Sequence, residues 1–194
     1  MPSLETAVWA LVVSALAQII TILGWFVTNL FAQRREAAAR REAAAQRFLE
    51  QQIEALYGPL AGLVKQSEVI YREVALRRLP SRGGRLDQGA FSDDDRQIWR
   101  FMLEREFIPR GAEIAKLLYT KPHLLESSTL PASFEAFLVH QAMQDSLYNL
   151  WKEQGVESLM VQGSGWPTAF NADIETGLTR LREAHASYLR RLRL

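Results

Sequence analysis

The side chains with most chemistry to offer are three histidines, His123, His140 and His185, and the arginines near the last. A histidine moves a proton near neutral pH, and a guanidinium holds negative charge. Arg180 precedes His185 by five residues, which sets the two about 140° apart on a helix. Arg182, three residues before His185, lies closer to it on the same helix. A basic, solvated helix end with an incidental histidine gives the same pattern. His140 falls on an aromatic helical stretch, as a half-buried histidine would, and His123 follows Pro122 in a turn. The three histidines lie far apart and fit no metal-ligand spacing. With no cysteine in the chain, disulfides, thiolate metal sites and a cysteine nucleophile are excluded. The string Gly58 to Lys65 lacks the Gly-Lys-Ser/Thr core of a phosphate loop, and Gly163-Ser164-Gly165 is too short for a dinucleotide fingerprint. Neither a nucleophile elbow nor a zincin helix is present. No catalytic, cofactor or metal site is assigned; Arg180 and His185 are the only catalytic candidates.

The elements that position these residues begin with an asymmetry. The chain has 194 residues, enough for one modest domain and an appendage, with ordinary hydrophobic (48%) and charged (23%) fractions. Its net charge of +1 excludes a whole-molecule electrostatic nucleic-acid binder. Yet residues 6–33 contain no Asp, Glu, Lys or Arg. Residues 7–31, AVWALVVSALAQIITILGWFVTNLF, would cover roughly 37 Å as a helix, more than the ~30 Å hydrocarbon core of a bilayer. A transmembrane helix is expected there. A cleaved signal peptide fits less well, because MPSLET has no basic region and the apolar stretch is too long. Ahead of the span the only charged side chain is Glu5, whereas Arg34, Arg35, Arg40, Arg41 and Arg47 follow it. Basic residues stay inside, so the N-terminus is expected outside and the rest in the cytoplasm of a bacterial inner membrane.

Within the span, Ser14, Gln18, Thr21, Trp25 and Thr28 recur at steps of four and three, a single helical stripe that Ala7 extends. Gln18, near mid-bilayer, needs hydrogen-bond partners that neighbouring copies or a wet pore could supply. The stripe therefore predicts a homo-oligomer in a lipid membrane, with a monomeric anchor as the alternative.

Residues 1–33 form the first division, with residues 34–57 a helical juxtamembrane stalk and 58–194 a cytoplasmic bundle. The stalk is rich in Ala, Arg, Glu and Gln, and Gly58-Pro59 is expected to stop it. A second helix over about 60–79 uses Leu60, Leu63, Val64, Ser67, Ile70, Tyr71 and Val74 as its apolar face. The loop PSRGGRLDQGAFS follows. Ser92 is the expected N-cap of a helix opening on Asp93, Asp94 and Asp95, and Pro109 begins or kinks the next turn. After the connector KPHLLESSTLP, Pro131 opens a helix carrying Phe134, Phe137, Leu138, Leu147, Leu150 and Trp151. The loop EQGVESLMVQGSGWP precedes a last helix with Phe170, Ile174, Leu178, Leu181, Tyr188, Leu189 and Leu192. Trp99, Trp151 and Trp166 are read as core. The fold class is all-α: one N-terminal transmembrane helix continuing into a bundle of four or five helices.

Two basic patches stand out, Arg77, Arg78, Arg82 and Arg85 around the long loop, and Arg190, Arg191 and Arg193 at the C-terminus. Either fits phosphate or an acidic partner face, or simply solvated charge. Without interleaved stacking aromatics, sequence-specific RNA reading is poorly supported, and direct RNA binding is left open.

Leu56-Tyr57-Gly58-Pro59-Leu60 resembles the LYGPL opening of small bacterial membrane-anchored helical proteins. Phe107-Ile108-Pro109, Lys121-Pro122-His123-Leu124, Leu130-Pro131 with Phe134, Phe137, His140 and Trp151, and Trp166-Pro167 follow in a similar order. The plan is also similar to the membrane accessory proteins of type VI CRISPR systems, which pair an N-terminal span with a helical domain like the higher eukaryotic and prokaryotic nucleotide-binding (HEPN) ribonucleases. Arg180 and His185 match the Arg-x4-His spacing of that family, in which the two act around a scissile phosphate. The resemblance implies a non-enzymatic antiviral-defence effector that permeabilises or depolarises the membrane. A membrane-tethered ribonuclease and a membrane adaptor are its alternatives. As partners it implies a CRISPR ribonucleoprotein or another soluble defence protein. No cofactor is implied.

Overall fold

The structure, a computed structural model, describes residues 4–127, 129–155 and 165–192. Ahead of Thr21 it describes the side chains of Trp9, Ser14 and Gln18, and it leaves out that of Leu192. The chain divides into two compact units, Met1–Arg47 and Phe48–Leu194.

Helix α1 spans Leu4–Gln51, with Gly24 its only glycine and no proline. Ala, Leu, Arg, Glu and Gln favour the helix intrinsically, and Arg40 pairs with Glu36 one turn earlier at 2.6 Å. The compact second unit begins at Phe48. Gln52, Leu56 and Tyr57 are buried in it, so the last turns of the expected stalk belong to the bundle.

Gly58-Pro59 does not stop the helix. A π-helical turn occupies Gln52–Tyr57, and α2 follows at once over Gly58–Ile70. Gly58 keeps helical dihedrals (φ −63°, ψ −54°), and its N–H reaches back five residues to the Ile53 carbonyl. One extra residue per turn relieves the clash that a proline ring normally makes with the turn before it. Pro59 still brings no N–H to the carbonyl four residues earlier, that of Ala55. Lys121 supplies the missing donor: its Nζ lies 2.7 Å from that oxygen.

Lys121→Met is expected to cost about 1–3 kcal/mol, the usual effect of stranding a polar group. The cost should shrink in a Pro59→Ala background, where residue 59 regains an N–H. A double-mutant cycle by thermal unfolding measures the coupling; purely additive effects would detach Lys121 from the proline.

A second π-turn, Tyr71–Ala75, leads into α3, Leu76–Arg78. It shifts the helical phase, so Val74, expected on the buried face, is exposed while Ala75 is buried. The long loop holds a hairpin of two short antiparallel strands, β1 (Ser81–Arg82) and β2 (Arg85–Leu86). Gly83 and Gly84 between them sit at φ +58° and +74°, the left-handed values a two-residue hairpin turn demands. Ser92 caps α4 (Asp93–Met102): its hydroxyl accepts from the Asp95 N–H while the Asp95 carboxylate accepts from the Ser92 N–H. A third π-turn, Leu103–Phe107, precedes Pro109 near the start of α5 (Ile108–Thr120), repeating the device at Pro59. Helix α6 spans Ala132–Gln154 and ends on Gly155 (φ +69°), and α7 spans Thr168–Leu192. Most of the loop expected between them, residues 156–164, lies outside the described residues.

The protein is all-α. In the second unit α2 packs on α7, α7 on α6, α6 on α5, and α5 back on α2, a closed ring of four helices. Its axis is filled by Leu56, Leu60, Ile114, Phe134, Phe137, Phe170 and Ile174, all essentially sealed from solvent. Phe137 stacks on Phe170 with ring centroids 4.4 Å apart, and Phe134 and Trp166 meet these rings edge-on. A smaller cluster of Leu103, Tyr148 and Trp151 takes in Trp99, Phe107 and Ile108. Arg100 lies 4.5 Å from the centre of the Trp151 ring. Leu189, expected on the buried face of α7, is exposed. Two glycines set the helix spacing: a Cβ at Gly177 would strike the Tyr57 ring at 2.6 Å, and one at Gly111 would overlap the Gln141 amide.

Candidate functional site

The connector between α5 and α6 is held down by polar contacts from three directions. Gln52, buried, donates from Nε2 to the Leu124 carbonyl at 3.0 Å, and Lys121 reaches Ala55 as above. Leu124 and Leu125 insert into the core. Just beyond them Glu126 receives both nitrogens of an Arg180 fork, Nε at 2.9 Å and Nη2 closer still. Hydrogen bonding to this carboxylate raises the Arg180 pKa further above its ordinary value. Tyr57 lies beneath: burial first, and the Glu126 carboxylate second, push its phenol above the usual range. Two turns before Arg180 on α7, Asp173 accepts from the Ser133 hydroxyl at the start of α6.

This geometry places the two catalytic candidates. Arg180 is exposed and engaged by Glu126, whereas His185, part-buried, faces Glu50 with Nε2 to Oε1 at 3.4 Å. The acidic partners come from different elements, and within one chain Arg180 and His185 do not converge on a common point. Both serve as ties between α7 and its surroundings. His140 packs edge-on against Trp166 at 5.7 Å, and His123 is exposed on the short 3-10 turn Pro122–Leu124. Among the described residues no group of three or more histidine or carboxylate side chains is placed to hold a metal ion.

Of the polar centre that does form, Tyr57, Glu126 and Arg180, the sequence marks only Arg180, by its spacing to His185. Glu126 lies 54 residues away along the chain, and Tyr57 stands within the LYGPL string. Its tyrosine is the buried floor of the ion pair, and its glycine and proline are the exit from a π-turn.

The four arginines of the long loop divide into two pairs. Arg77 is bound by Glu73 one turn earlier, and Arg78 lies near enough to Asp95 to help lower that carboxyl's pKa, behind the Ser92 hydrogen bonds. Arg82 and Arg85 are different. They stand directly opposite each other across the hairpin, both exposed, and neither has an acidic partner among the described residues. At the other basic patch Arg191 lies over the Tyr188 ring, 5.9 Å from its centre, and Arg193 lies outside the described residues.

Along α1 the stripe residues Ser14, Gln18, Thr21, Trp25 and Thr28 are all exposed. The Thr28 hydroxyl donates to the Gly24 carbonyl at 2.7 Å, so it is satisfied within its own helix. Ser14 and Thr21 also have interactions within the chain. Gln18 has none among the described residues. The side chain of Ala7, the outward extension of the stripe, lies outside the described residues. Among the described residues no helix is long and apolar enough to cross a membrane.

Comparison with protein-family models, with curated proteins and with solved structures finds no match to this chain.

Proposed function

We propose that the protein is a self-assembling, single-pass inner-membrane protein whose gathered spans permeabilise the membrane. The resemblance to defence-associated membrane proteins supplies the setting, bacterial antiviral defence. The observation that carries the reading is Gln18. In an uncharged stretch over residues 7–31, the hydroxyl of Thr28 is satisfied locally, whereas the Gln18 amide has no partner among the described residues. An amide within a bilayer gains from a hydrogen-bond partner, and another copy of the helix or water along a shared axis would supply one. The arginines at positions 34, 35, 40, 41 and 47 keep the following unit on the cytoplasmic side, and the four-helix ring acts there as the assembly and sensing module.

The test is ion flux through vesicles of bacterial phospholipid carrying the purified full chain. A pore predicts dissipation of an imposed potential that grows steeply with protein density. A potential held at the level of empty vesicles, with the chain inserted, contradicts permeabilisation.

A further inference from the structure

Arg82 and Arg85 occupy facing positions on adjacent strands, where side chains share one face of the ladder and Cα atoms lie about 4.5–5.5 Å apart. Like charges so opposed destabilise a hairpin, and a strand pair of two residues each is too short for edge protection to explain them. Hydrogen bonds and the turn nevertheless hold the two strands in this register. Gly83 and Gly84 fix the turn, the Asp87 N–H bonds the Pro80 carbonyl at 2.9 Å, and the Ser81 hydroxyl bonds the Leu76 carbonyl. The Leu86 N–H donates to the Tyr71 hydroxyl at 3.3 Å, tying β2 to the second π-turn. Nearby Arg77 and Arg78 have Glu73 and Asp95 beside them, so of the four only the two tip arginines have no ion-pair partner among the described residues.

We propose that the facing Arg82 and Arg85 of this hairpin form a binding fork for a phosphate group. Two planar guanidinium groups on one face offer parallel N–H donors to the oxygens of a single phosphate or pyrophosphate. No aromatic residue lies in the Ser81–Leu86 hairpin for a base to stack on, which favours a phosphate ester or pyrophosphate over a single-stranded nucleic acid. A lipid headgroup offers the same chemistry, and the disc compositions in the test below tell the two sources apart. An exposed two-arginine fork predicts a dissociation constant on the order of 1 mM for pyrophosphate.

The test uses the full chain in lipid nanodiscs, with inorganic pyrophosphate as the probe and its phosphorus NMR linewidth as the readout, at constant ionic strength. In zwitterionic discs the proposal expects saturable broadening that Arg77→Gln preserves and the double variant Arg82→Gln/Arg85→Gln abolishes. Removing two opposed charges should leave thermal stability unchanged or slightly raised, so loss of binding cannot be laid to unfolding. Broadening that survives in the double variant, or that never saturates, overturns the fork. In anionic discs, broadening that persists assigns the fork to a soluble phosphate ester or pyrophosphate, and broadening that is lost assigns it to lipid headgroups. None of these outcomes depends on whether the spans form a pore.

Discussion

Gln18→Leu is expected to reduce ion flux at least tenfold while leaving membrane insertion intact. The substitution makes the span more apolar, so insertion is favoured. Assembly should weaken only modestly, by about 0.6–2 kcal/mol per lost interhelical contact, because packing along the rest of the stripe remains. Conduction responds more strongly, since a ring of leucines dewets a narrow path where a ring of amides holds water. Ser14→Ala removes a smaller hydroxyl that already interacts within its own chain, and its effect should be much weaker. Paired measurements of detergent-resistant assembly and vesicle ion flux separate the two contributions. Wild-type flux with wild-type assembly in Gln18→Leu would place Gln18 outside any interface.

Phe137→Ala should give the largest loss of stability in the second unit, about 3–5 kcal/mol. Phe137 is sealed from solvent at the centre of the ring of helices, stacked on Phe170 and touched edge-on by Trp166. Truncation removes the transfer energy of the ring and leaves a cavity among stiff aromatic neighbours that cannot collapse into it. At about 2–4 °C per kcal/mol for a unit of this size, the thermal midpoint should fall by roughly 6–20 °C. Val139, two residues on and exposed, is the control: Val139→Ala should change stability by no more than about 0.5 kcal/mol. Thermal unfolding followed by circular dichroism decides. A loss below 1 kcal/mol at Phe137 would contradict the assignment of the core to this ring.

The local signals in the sequence were legible where one stretch of chain decides the outcome. Ser92 followed by three aspartates spelled a helix start, and the capping box is there. Phe134, Phe137, Phe170 and Ile174 were recognisable as core from helical spacing alone. Gly58-Pro59 suggests a helix end because a proline breaks a helix unless the turn before it adapts, and no local signal announces that adaptation. The π-turn absorbs the ring, and the freed carbonyl finds Lys121, 66 residues further along the chain. Val74 went astray for a related reason, since a helical wheel of fixed pitch cannot register an added residue per turn. The Gly83-Gly84 pair carried a hairpin signal, but the flanking strands are too short to show an alternating pattern.

The candidate site was less legible than the fold. Arg180 attracted notice for its distance from His185, yet its geometry is decided by Glu126, and that of His185 by Glu50. Such pairs join segments 54 and 135 residues apart. No local spacing encodes them. The basic loop shows the same lesson in reverse: four arginines that look alike in sequence separate into two with carboxylates beside them and two that face each other.

The central claim, that this chain works as an assembly of copies through its N-terminal helix, is most directly tested by its mass in a mild detergent. Light scattering corrected for bound detergent gives the protein mass independently of shape. Assembly predicts a discrete multiple of 22.1 kDa for the wild type, with Gln18→Leu shifting the population toward smaller species on dilution. A single species at 22.1 kDa across the accessible concentration range would contradict it.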